Sequence, residues 1–245
     1  MRAIIIKITK RRVPSIIDRD YHNILTKHST YYNYLSDNDR KKFRLRLFQL
    51  LNVMAFSSPE FPVVTREMRV VIGSSIIEIT FGLDRYLPLR FTNVVVMSRE
   101  YMYPGYGEPF LGHIEYSKNM LYFSWRDVKN GFLIPDDAIN VALHEMAHVL
   151  EAENNFNYLY TGFFNEFDWQ RWAEGAATKM EAIRRGENNF LKSYGGINMT
   201  EMFAVCVEAF FEQPEEFQKE LPKIYNTMVV LLNQDPLTYR NAKST

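Results

Sequence analysis

A single cysteine, Cys206, stands in the 245 residues. One thiol excludes an internal disulfide and any cysteine-rich zinc cluster, and it fits a reducing compartment. An excess of charge of either sign is also missing. Twenty-nine basic and 29 acidic residues cancel, so no global field points to nucleic acid or to an anionic membrane. Long apolar runs are missing too. The N-terminal "MRAIIIKITKRRVP" holds one over residues 3–6 that Lys7 breaks, too short for a signal-peptide core or a membrane span. We therefore expect a cytoplasmic protein with neither nucleic-acid nor membrane partners. Lys10, Arg11 and Arg12 read as a solvated arm or part of a first strand rather than a phosphate-binding patch. Internal repeats, low-complexity tracts and long linkers are not visible.

What is present suits a packed globular chain, with 47% hydrophobic and 15% aromatic residues. Residues 16–54 read as mostly helical. In "LSDNDRKKFRLRLFQLLNVMAF", Ser36 is a candidate N-cap, and Phe43, Leu45, Leu47, Leu50 and Leu51 recur at helical spacing. Two prolines in "SSPEFPVV" break that pattern, and residues 65–81 follow as a buried helix. Over residues 92–125, "TNVVVMS" and "NMLYFSW" are β-rich, and "PGYGEPFLGHIEY" between them carries turn chemistry. Pro135 and Asp136 then read as a helix start, and helices are expected over 168–185, in "NMTEMFAVCVEAFFEQP" and in "LPKIYNTMVVLLNQ". Helices around one small sheet make an α+β fold.

The chemistry concentrates in "INVALHEMAHVLEAENN", residues 139–155, which holds two of the five histidines. Positions i and i+4 lie one turn apart on one helix face. His144 and His148 can therefore present two imidazole nitrogens to a single Zn²⁺. Glu145 is rotated away from them by about 100° and need not be a ligand. It is placed to take a proton from a water that the metal acidifies. A third protein ligand is then required. His22 and His28 lie far upstream, His113 sits in the turn-rich segment, and no histidine follows His148. Unless His113 swings in, the ligand is a carboxylate. Glu201 is the candidate, although a glutamate in the first turn of a helix is also what the helix dipole favours.

The segments "INVALHEMAHVLEAE", "SWRDVKNG" and "NMTEMFAVCVEAFFEQPEEFQKELPKIYNTMVVLLNQDP" resemble the zinc metallopeptidases of the Mlc titration factor A family, in the same order and spacing. The likeness covers about residues 31–237. It implies a gluzincin-like variant of the zincin fold, a small twisted sheet over the HExxH helix. We read residues 1–245 as one domain, with a helical part over 16–56 and a catalytic core over 60–237.

Carried over to this chain, the resemblance makes His144, His148 and Glu201 the ligands of one zinc ion and Glu145 the general base. Tyr194, seven residues before Glu201, becomes an oxyanion donor. Gly195 and Gly196 beside it give the tyrosine room to swing. The family has Phe at Met146 and Asp at Glu151, and Val205 lacks the acid that thermolysin-like enzymes carry one turn after the ligand glutamate. Glu208 lies roughly on the face of Glu201, either supporting a ligand or facing solvent. In zincins an edge strand at the place of "NMLYFSW" takes extended peptide by β-addition.

The expected activity is hydrolysis of a peptide or protein substrate, with the aminopeptidase-like preference of the family. The rival reading is a regulatory module that binds a protein such as a transcriptional repressor and holds zinc with little or no proteolysis.

Overall fold

The computed structural model describes residues 12–156, 162–187 and 190–241. The apolar run over 3–6, Lys10 and Arg11 lie outside the described residues.

Helices α1 (Ser15–His28), α2 (Thr30–Tyr34) and α3 (Asp37–Leu51) come first. Ser29 and Ser36 separate them, and each side chain accepts an N–H from the first turn of the helix that follows. The helical pattern expected to run on through Phe56 ends at Leu51. Ala55 N–H donates to Thr92 O at 2.8 Å, and Ala55–Ser57 forms strand β1. Pairing with a distant strand overrides local propensity there. Helix α4 (Arg66–Ile79) is capped by Thr65 and buried along most of its length.

Strands β2 (Asn93–Met97), β3 (Gly112–Glu115) and β4 (Met120–Ser124) complete a sheet of order β1-β2-β4-β3. The first three in that order are parallel, and β3 is antiparallel to β4. Val94, Val96, Leu121 and Phe123 are fully buried on one face, the alternation a half-covered sheet demands. Two expectations change here. The segment read as turn chemistry contains β3, and the sheet edge beside the candidate site is β3, not the "NMLYFS" strand. That strand is β4, hydrogen-bonded on both sides.

Helix α5 (Trp125–Leu133) lies between the sheet and the candidate metal helix, α6 (Val141–Phe156). Pro135 and Asp136 do not open α6. Ala138 adopts a left-handed φ of 55°, and the cap is Asn140, whose Oδ1 accepts the N–H groups of Ala142 and Leu143 at 3.2 Å. The remaining helices are α7 (Glu166–Arg184), α8 (Met199–Glu212), α9 (Pro214–Glu220), α10 (Pro222–Leu232) and α11 (Pro236–Asn241). Pro214 and Pro222 sit at N1, where the missing N–H costs nothing. Among the described residues no helix is long and apolar enough to cross a membrane.

Helices α6 and α8 pack against each other, and both are buried nearly all round. Charged side chains anchor them. Glu153, completely buried near the end of α6, accepts N–H groups of Leu89 and Arg90 and pairs with Arg85 at 3.3 Å. This ties the loop before β2 to the helix. Glu78 of α4 and Glu212 of α8, both buried, border a cavity of about 30 Å³ away from the candidate site.

Burial pushes the Glu212 carboxyl up to about 8 from its ordinary 4.5, and the charge of Glu208 adds to this against the hydrogen bond from Asn140. The folded state therefore keeps a proton that the unfolded chain releases near 4.5. Stability is full below that value and falls as pH rises toward about 8. Glu212→Gln removes the ionisation and keeps an acceptor for Asn140 Nδ2. Its stability relative to wild type should rise between about pH 5 and about pH 8 in urea unfolding. A difference that is the same at both pH values would clear Glu212 of this role.

Candidate metal centre

The capped start of α6 puts His144 in its first turn and His148 one turn later. Glu201 sits in the first turn of α8, where the Asn198 side chain caps the helix by accepting the Glu201 N–H at 2.9 Å. His144 Nε2 lies 3.0 Å and His148 Nε2 3.5 Å from the same oxygen, Glu201 Oε2. One ligand atom from each of the three residues falls within 4.8 Å of the others. Two neutral nitrogen donors and a carboxylate are a donor set that a divalent metal takes. The residues fit such an ion.

The charges around this point call for a cation. Burial works against a charged His144, yet hydrogen bonds to Glu201 and Glu208 outweigh it and raise the imidazole to about 10. Glu201 is likewise pushed up by burial, but the two histidines bring it down to about 2. Burial raises the Glu145 carboxyl, and the histidines only partly offset this.

Glu208 is buried and not solvent-facing. Its Oε2 accepts from His144 Nδ1 at 3.2 Å, its Oε1 accepts the Asn140 N–H at 2.8 Å, and Lys192 Nζ lies 3.3 Å from both oxygens. A carboxylate on the far nitrogen of a ligand histidine fixes its tautomer and ring orientation. Glu151 does not do this for His148. It accepts from Thr200 Oγ1 at 3.1 Å, while His148 Nδ1 is buried with no hydrogen-bond partner among the described residues.

His113 does not join the cluster. Side chains alternate along a strand, and Gly112 is the β3 residue that faces α6, so His113 points to the other side of the sheet. There it stacks on Tyr122 with ring centroids 4.6 Å apart, and its Nδ1 pairs with Tyr101 Oη at 2.8 Å. His22 and His28 are engaged elsewhere, with Tyr32 and Glu67.

His144, Glu145, Tyr194 and Glu208 open on a cleft of about 850 Å³, walled by the residue 106–112 segment on one side. Tyr194 is half exposed, its ring centroid 6.1 Å from that of His144. It is no buried loop anchor. Nor is its turn (Ser193–Gly196) loose. Arg184 donates to Gly196 O at 2.6 Å and Ile197 O at 3.0 Å, and a Cβ on Gly196 would come 2.9 Å from Ile183 Cγ2. The two glycines are there for close packing.

Sequence reasoning passed over Asn140 and Lys192. Asn140 directly precedes the apolar-periodic run, which is an N-cap signal, but the Pro135–Asp136 signal four residues earlier competes with it. For Lys192 there is no sequence signal, because its contact with Glu208 is tertiary.

The glucose-regulated metallo-peptidase M90 family matches residues 6–231. An uncharacterized protein of Synechocystis sp. is 24% identical over 84% of this chain and 81% of its own length. Mlc titration factor A from Escherichia coli and from Shigella flexneri is 27% identical over 48% of this chain and 46% of the relative. The chain thus spans about half the length of the Mlc titration factor A relatives it matches.

The contact between Glu208 and His144 Nδ1 is open to a direct test. Removing such an outer carboxylate typically costs about 10–100-fold in metal affinity, so Glu208→Ala should bind Zn²⁺ that much more weakly in chelator competition. Unchanged affinity would mean that Glu208 serves only to join α6 to α8.

Proposed function

The chain belongs to the glucose-regulated metallo-peptidase M90 family, and from that membership and the His144–His148–Glu201 cluster we propose that it is a zinc-dependent peptidase. The observation that carries this reading is the convergence of both histidine Nε2 atoms on Glu201 Oε2, beside a buried glutamate that lines an open cleft. His144, His148 and Glu201 would hold the zinc, and bound zinc supplies Lewis acidity and lowers the pKa of water. A small sheet whose antiparallel edge strand packs against α6 supports a zincin-like fold.

In this reading Glu145 takes the proton from the attacking water and later delivers it to the leaving amine. Its raised carboxyl, a consequence of burial, suits both halves of that task. Tyr194 faces the same cleft and donates its phenol to the oxyanion as the carbonyl becomes tetrahedral. The substrate is a peptide lying along the free edge of β3, where backbone N–H and C=O groups are unpaired by the sheet. An aminopeptidase-like preference and a cytoplasmic location complete the proposal.

A second reading has one observation behind it, the name of the relatives. A protein called Mlc titration factor A is named for acting on Mlc. By that analogy the chain binds a regulatory protein such as a transcriptional repressor, and the zinc site carries little or no proteolysis.

Peptidase assay together with metal analysis separates the two. Wild type should carry about one zinc per chain and cleave peptides. Glu145→Gln should keep the zinc and lose at least ~10²–10⁴-fold in activity, the contribution of a general base. A zinc-loaded wild type no more active than Glu145→Gln would favour the regulatory reading.

Tyr194→Phe deletes only the hydroxyl. An interaction made mainly in the transition state should lower kcat by ~10²–10³ with KM little changed. Wild-type kcat in this variant would remove the phenol from the chemistry.

A further inference from the structure

Strand β3 passes α6 more closely than a side chain would allow. A Cβ built on Gly112 would lie 2.8 Å from Glu145 Cγ, 2.8 Å from Val141 Cγ2 and 3.1 Å from Glu145 Oε1. Gly112 is not among the residues with left-handed φ, which for glycine are Gly105 and Gly186. Backbone freedom is therefore not the reason a glycine stands here. Space is.

Neither backbone can retreat to make room. Gly112 pairs with Phe123 in the β3–β4 ladder, and Ser124 N–H donates to Leu111 O at 2.7 Å. On the other side, α6 is held at its start by Glu208 and near its end by Glu153. What remains movable are two side chains, Val141 with one rotatable bond and Glu145 with three. Gly82, by contrast, meets the backbone carbonyls of Leu232 and Asn233. Gly112 meets a carboxylate-bearing side chain of the candidate site.

We propose that Gly112 is a positioning residue for Glu145. The bare strand leaves a slot in which the Glu145 Cγ and carboxylate lie, and this slot sets where the carboxylate meets the water and the scissile bond. The proposal rests on the reading of Glu145 as general base. It adds that the base is aimed by the edge strand of the sheet, in addition to its own helix.

The experiment is a double-mutant cycle on the zinc-loaded enzyme. Gly112→Ala should lower kcat by ~10²-fold, the cost of about 1 Å of misplacement, with zinc content unchanged. Glu145→Ala removes both the Cγ and the carboxylate that the new methyl would strike. In that background, starting from its own lower activity, Gly112→Ala should cost far less, so the two effects should be strongly non-additive. The same cycle read by melting temperature on metal-free protein should show the steric penalty shrinking in the Glu145→Ala background.

Equal losses in the two backgrounds would overturn the proposal, because a general weakening of β3 does not depend on the length of residue 145. So would relief of the Gly112→Ala loss by Val141→Ala, which would place the slot in ordinary helix packing. A zinc-loaded wild type without peptidase activity would sink the reading of Glu145 as base, and the melting cycle would still report whether Gly112 and Glu145 compete for one space.

Discussion

The carboxylate of Glu208 joins the two helices on which the site depends. Glu201 and Glu208 are seven residues apart, about two turns of α8, and the His144 imidazole spans the gap between them. One ring nitrogen meets Glu201 at 3.0 Å and the other meets Glu208 at 3.2 Å. A slide of α8 by one residue would break both contacts together. Glu208 also accepts the Asn140 N–H at the very start of α6, so the bond that orients the imidazole also sets the helix register. The position of Glu201 against His148 follows from that register.

Such an arrangement is expensive in isolation. Glu145, Glu208 and Glu212 are buried in helices otherwise lined with apolar side chains, and unpaired charge in such a setting is strongly disfavoured. The site meets the cost with shared partners. His144 stands between Glu201 and Glu208, Lys192 sits astride Glu208, and Asn140 serves both Glu208 and Glu212. The result is a point surrounded by donor atoms and negative charge, surroundings that suit a divalent ion. Features that lower stability elsewhere in a fold cluster here, a pattern common at functional sites.

The sheet enters through β3. Side-chain alternation sends His113 to the far face, among the aromatic rings of Tyr101, Tyr103 and Tyr122, and leaves Gly112 facing α6. Lengths and turn types in this region were hard to read from the sequence. A four-residue strand preceded by two glycines and two prolines looks like a loop, and only its pairing with β4 makes it a strand. The same competition hid β1, whose partner lies nearly forty residues away, and α5, a short helix that starts directly where β4 ends.

Local physics determined a good deal. Spacing of i and i+4 put His144 and His148 on one face, Thr65 and Ser36 capped their helices, and the apolar periodicity of α4, α6 and α8 marked them for burial. These features depend on contacts within a few residues, so the amino-acid order alone decides them. Tertiary structure decided the rest. It chose Glu201 over His113 as the neighbour of the histidine pair, turned Glu208 inward and gave it Lys192, left His148 Nδ1 without the support of Glu151, and brought the bare Gly112 against Glu145. Each of these joins residues from different elements, and which atoms meet is set by helix register and strand alternation in the packed molecule, quantities that a linear sequence does not carry.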